Sequence, residues 1–245
     1  IIVQGLIKSG VKSIYISPFE HNAVTRTLYN FSKEKLITVS TLAVQNDLTY
    51  DIEKIRYQFD DKKPDLVIIS HASNVIGLVA PVEKIFSLAK RYGAYTLLDM
   101  AQTAGLVDCN VGADIIDFAV FAGHKTLLGP TGISGFVMKP EIDLLPVIFG
   151  GTGYESANQN MPQSLPERFE MGTLNIAGVA GLYASLGWIQ ERTIDELYNI
   201  EIEKRNTLIE LLSKYEFIKL VGVFEERKYV GIVSCLIEGI SSDSA

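Results

Sequence analysis

The sequence predicts an α/β fold: a mostly parallel sheet with helices on both faces, followed by the start of a small α+β domain. Three observations carry that expectation. Short apolar runs alternate with segments of helical period along most of the 245 residues. The runs are nearly continuous rather than alternating, as in strands covered on both faces. After about Arg192 the texture changes to a charged amphipathic helix and two further strand-like runs.

The expected strands are Ser13–Ser17, Leu36–Val39, Leu66–Ser70, Tyr95–Asp99, Phe118–Ala122 and Ile133–Met138. Between them Val82–Tyr92 reads as a helix. Val82, Ile85, Phe86 and Ala89 share one face, with Lys84, Lys90 and Arg91 outside it. Strand–helix–strand order implies a ligand site beyond the carboxyl ends of the strands.

Met171–Gln190 is uncharged and long enough to cross a bilayer. It also holds Thr173, Asn175, Ser185 and four glycines, so a buried helix in a soluble core is expected instead. Ile194–Lys214 reads as a helix, and Ile218–Val223 and Tyr229–Ile237 as strands. A further helix is expected to begin at Ser241–Ala245. The division that follows is residues 1–191 for a large domain and 192–245 for the first part of a small one.

Bulk properties exclude several classes. The formal charge is −7 and the pI is near 5.1, with no Lys/Arg cluster, so no nucleic-acid partner is expected. Cys109 and Cys235 form no CxxC pattern and the three histidines are scattered, which argues against a metal site. Scarce cysteine fits a reducing, cytoplasmic setting. Ile1–Lys8 lacks the basic start and cleavage site of a signal peptide. It also lacks an initiator Met, so the natural start is expected elsewhere.

The residues that carry chemistry fall at four strand ends. Asp99 closes a buried run, with Gln102 close behind. A carboxylate there needs a cationic partner, although a capping Asp is equally at home in that position. Gly123-His124-Lys125 closes another run and leads into Leu128-Gly129-Pro130-Thr131-Gly132. A lysine at an apolar strand end can lose its proton and attack an aldehyde; a solvated surface lysine after a turn fits the same letters. Pro18-Phe19-Glu20-His21-Asn22 offers a histidine for the face of a flat ring, or a structural one. His71-Ala72-Ser73-Asn74 offers an amide, or a turn-former, and His71 itself reads as a hydrogen-bonded core histidine.

Taken together, these groups are expected to face one crevice. Their types suit pyridoxal 5'-phosphate (PLP): an amine for its aldehyde, an acid for its ring nitrogen, and donors for its oxygens.

The chain resembles the class V aminotransferase-like PLP enzymes, and within them the cysteine desulfurase branch. The likeness rests on Glu20-His21-Asn22-Ala23-Val24, Ser73-Asn74-Val75-Ile76-Gly77 and Asp99-x-x-Gln102. It continues through Gly123-His124-Lys125 with Gly129-Pro130-x-Gly132, and Phe169-Glu170-x-Gly172-Thr173-x-Asn175. The resemblance implies that Lys125 carries PLP as a Schiff base and that Asp99 pairs with the pyridine nitrogen. It puts Gln102 and Asn74 near the phenolic oxygen, His21 on the ring and His124 on the phosphate. Thr173 would reach the phosphate of a neighbouring subunit in a homodimer.

There are departures. Ala122 stands where the family usually has a phosphate-binding Ser or Thr, a loss of about 1.5–3 kcal/mol of cofactor affinity. The family's upstream phosphate loop, its downstream carboxylate-binding Arg and its thiol-bearing loop are not in the sequence, so these residues alone are expected to be inactive. Cys235 is expected to lie in a buried strand, unfit for sulfur transfer.

The implied activity is conversion of L-cysteine to L-alanine, with sulfur passed to an enzyme thiol and on to a sulfur-acceptor protein. Rival readings are an aminotransferase, selenocysteine lyase or epimerase on another amino acid. A non-catalytic Rossmann-like module is the rival of a different class; the missing Gly-x-Gly-x-x-Gly after the first strand counts against it.

Overall fold

The computed structural model describes residues 1–224 and 227–241. Six strands form the main sheet: β1 (Ser13–Ile16), β2 (Thr38–Thr41), β3 (Leu66–Ser70), β4 (Tyr95–Asp99), β5 (Phe118–Ala122) and β6 (Ser134–Met138). Their spatial order is β2-β1-β3-β4-β5-β6. All neighbours are parallel except β5 and β6, which pair antiparallel from Phe118↔Met138 to Ala122↔Ser134. A separate antiparallel pair joins β7 (Ile218–Val221) to β8 (Ser234–Ile237).

Helices cover both faces, and alternate strand residues divide the core between them. Ile14, Ile16, Leu66, Ile68 and Leu97 pack with α1 (Ile2–Lys8) and α2 (Asn22–Lys33). Tyr15, Val67, Ile69 and Leu98 pack with α3 (Ile52–Asp61) and α4 (Val82–Arg91). This is why the strands read as unbroken apolar runs. Asp117 locks the second face: it accepts from Thr96 N at 2.8 Å and pairs with Lys90 of α4. Phe86 is fully buried in that face. Phe86→Ala is expected to cost about 3–5 kcal/mol, measured by urea denaturation.

The strands at 66–70, 95–99 and 118–122 stand where the sequence placed them, and α4 agrees to one residue. β2 starts at Thr38 rather than Leu36, whose side chain is exposed while Ile37 is buried. Two expectations are corrected. Met171–Gln190 is not a buried helix: α5 (Ile176–Arg192) buries only Gly178 and Ile189 and leaves Ile176, Val179, Tyr183 and Leu186 exposed. Cys235 is not shielded either, but exposed on the short β8.

α6 (Ile194–Leu212) confirms the charged helix. Beyond Ser241, the expected helix start lies outside the described residues. Among the described residues no helix is long and apolar enough to cross a membrane.

Candidate active site

The polar groups sit where parallel strands end. β4 and β5 are neighbours, with Asp99 opposite Val120, so the Asp99 end and the Lys125 turn lie side by side. The turn closes on itself: Gly123 N donates to Ile133 O at 3.0 Å and Gly129 N to Gly123 O at 2.7 Å. A Cβ on Gly123 would stand 2.7 Å from Ile133 Cγ2 and 2.9 Å from Ile133 O. Glycine is therefore required by close approach, and its small size lets the chain fold back and project Lys125.

Lys125 and Gln102 line one cavity of about 630 Å³, facing Glu201, Lys204 and Arg205 of α6. Glu201 spends Oε1 on Gly231 N at 2.5 Å. Arg205 is buried over the Tyr229 ring, 4.1 Å from its centroid, and Nη2 has no acceptor. Three cations against one engaged acid give this cavity a positive excess.

Asp99 lines a different cavity, of about 1000 Å³, with Thr27, Phe121, Ser134 and Glu170. Its Oδ1 accepts from Ala101 N at 2.9 Å, a local turn bond rather than a helix cap, because residues 100–107 form successive turns. The side chain has no ion-pair partner among the described residues. Lys125 and Asp99 are thus adjacent through the sheet but open onto separate cavities. His21, Asn74, His124 and Thr173 line neither.

His21 caps α2: its Nδ1 accepts from Ala23 N at 3.2 Å. A neutral ring must then carry its proton on Nε2. His124 and Thr173 are exposed, whereas Asn74 is partly buried in the turn where Ser73 Oγ accepts from Val75 N and Ile76 N.

His71 is a core residue, as expected. Nδ1 lies 2.9 Å from Thr103 Oγ1, tying β3 to the turn that carries Gln102. Burial, helped by the charge of Lys228, brings its pKa down to about 4. The unfolded chain takes up that proton near pH 6.5, so between these values the unfolded state holds more protons. Stability should therefore fall as pH drops from about 6.5 to about 4, by on the order of 3 kcal/mol. Denaturant titrations at pH 7 and pH 4.5 test this, and His71→Asn should flatten the difference.

One group was not singled out from the sequence. Glu20 accepts at Oε1 from Ser17 Oγ (2.7 Å) and Ser70 N (2.5 Å), and at Oε2 from Ser70 Oγ (3.0 Å). Its signal was a carboxylate directly behind a fully buried strand.

An amine, an acid and an imidazole thus stand at the strand ends of an open α/β sheet, where ligands bind in such folds. The family model for "Aminotransferase class-V" matches residues 1–245, and the chain belongs to that family. It is 33% identical over 231 residues to a probable cysteine desulfurase of Halalkalibacterium halodurans, covering 93% of this chain and 56% of the relative. A probable cysteine desulfurase of Pyrococcus abyssi is 31% identical over 237 residues, covering 95% and 58%. Among solved structures, the apo cysteine desulfurase of Thermococcus onnurineus NA1 superposes with a TM-score of 0.82 at 27% identity, covering 94% and 58%. The chain spans a little over half the length of these relatives.

Proposed function

We propose that the protein uses PLP to convert L-cysteine to L-alanine, passing the sulfur to an enzyme thiol. The observation that carries this reading is the Lys125 amine, set on a cavity with Gln102 beside the strand that ends in Asp99. The residue types suit the cofactor, and Lys125 and Asp99 are neighbours across the β4–β5 ladder although they open onto separate cavities. Lys125 makes no ion pair among the described residues, and Asp99 has one oxygen engaged and Oδ2 left over. When bound, PLP supplies an aldehyde carbon for an amine and a ring that draws electrons from the substrate.

The chain's own groups do the rest. Lys125 Nζ holds the cofactor and then moves the proton at the substrate's α-carbon. Asp99 Oδ2 would accept from the protonated ring nitrogen, while Oδ1 stays fixed by Ala101. His21 would stack on the ring, and Gln102 and Asn74 would lie near the phenolic oxygen. His124, with Thr173 of a second copy, would bind the cofactor's phosphate. The positive excess around Lys204 and Arg205 favours a substrate that carries a carboxylate.

The carbon–sulfur bond of cysteine breaks, and the sulfur joins a thiol as a persulfide while alanine leaves. Burial pushes the Cys109 thiol up, with Asp108 and Glu83 adding to it, which disfavours its thiolate. Neither cysteine lines the Lys125 cavity. A homodimer is the proposed assembly, supported by the exposed apolar stripe on α5; the proposed setting is the cytoplasm, with an acceptor protein downstream.

The test is direct. The intact protein, given PLP and L-cysteine, should release alanine and persulfide sulfur in equal amounts. Cofactor uptake without alanine would point to another amino acid, and no uptake at Lys125 would reject the reading.

A further inference from the structure

Nothing in the mechanism above uses Glu20, yet it bonds Ser70, the register partner of Asp99. It leaves the end of β1 and hydrogen-bonds both the backbone and the hydroxyl of Ser70, the last residue of β3. Ser70 is paired in register with Asp99 across the parallel β3–β4 ladder. Neighbouring residues in such a ladder point to the same face of the sheet. Ser70 therefore stands between the two carboxylates: Glu20 follows β1 and Asp99 ends β4, the strands on either side of β3.

No cation pairs with either acid among the described residues. The other polar groups facing Glu20 are uncharged: the Ser17 and Ser70 hydroxyls, and the Tyr50 hydroxyl, which is buried without a partner. His21, next in the chain, is turned to its cap on α2. Burial raises the Glu20 pKa, the Ser17 and Ser70 hydrogen bonds oppose that, and the charge of Asp99 adds to the rise. Two acids with no cation between them make a site that favours one incoming positive charge.

We propose that Glu20 is a positioning residue whose negative charge, placed behind Asp99 through Ser70, helps keep the cofactor's ring nitrogen protonated. The inference rests on the PLP reading. Asp99 makes the contact; Glu20 strengthens the field that holds the proton there, and its hydrogen bonds fix the end of β3 against β1.

The experiment loads the intact protein with ring-15N-labelled PLP and follows the nitrogen's chemical shift with pH. Glu20→Gln keeps an acceptor for Ser70 N and a donor for Ser70 Oγ but removes the charge. It should lower the nitrogen's apparent pKa by roughly one unit, about tenfold in proton affinity. Glu20→Asp should restore most of the shift, which a merely structural role would not require. If Glu20→Gln fails to fold, Ser70→Ala strips a donor from Oε2, favours the protonated acid and should move the titration the same way by less. Unchanged titration in the folded variants overturns the proposal while the PLP reading stands. Wild-type protein that takes up no labelled PLP overturns both.

Discussion

Lys125→Ala is expected to reduce alanine formation from L-cysteine by about a thousandfold or more, because one side chain both anchors the cofactor and moves the substrate proton. Stability should change little. The amine makes no ion pair among the described residues, and the turn that presents it is held by the backbone bonds of Gly123 and Gly129. Borohydride reduction of the PLP-loaded protein followed by peptide mapping should label Lys125 in the wild type and nothing in the variant. A label on another lysine would remove Lys125 from the centre of the site.

Asp99→Ala should retain some PLP yet lose turnover by roughly a hundred- to a thousandfold, since an oriented charge in a water-poor site supports the charge that develops during reaction. Asp99→Asn separates charge from geometry. Its amide oxygen can still accept from Ala101 N, as Oδ1 does now, so the turn should persist while the ring nitrogen loses its anion. Steady-state alanine formation and a PLP absorbance titration on both variants test this. Wild-type turnover in either one would refute the role.

The parallel sheet was legible because its strands are covered twice. Leu66-Val67-Ile68-Ile69 has no polar break, since each residue faces one helical layer or the other. β2 was harder to place: Thr38–Thr41 lies at the sheet edge with partly exposed side chains, so its letters look like a loop. α3 could have been found from Asp51 as cap and the spacing Ile52, Ile55, Phe59. α2 has a histidine as its cap, outside the usual cap residues.

α5 misled because its composition is apolar, yet its apolar stripe of Ile176, Val179, Tyr183 and Leu186 is exposed rather than packed. Tyr229–Val233 misled because that run bonds to the loop after β3, Val230 N to Gly77 O and Leu78 bridging Tyr229, before pairing begins at Ser234. Within the site, residue types at strand ends were readable one by one. That Lys125 and Asp99 open onto different cavities was not, because it depends on how α2, α6 and the segment before α5 close around them.

The division of each strand between two helical layers has a thermodynamic consequence. Ile68 and Ile69 are joined by a peptide bond, yet they belong to different clusters and share no packing partners there. Truncating both should cost close to the sum of the separate losses, as for sites far apart. Ile69 and Phe86 are distant in sequence but sit in the same cluster, and a void opened at one can be partly filled by movement of the other. Energetic coupling in this protein therefore follows the layers of the sheet rather than the order of the chain.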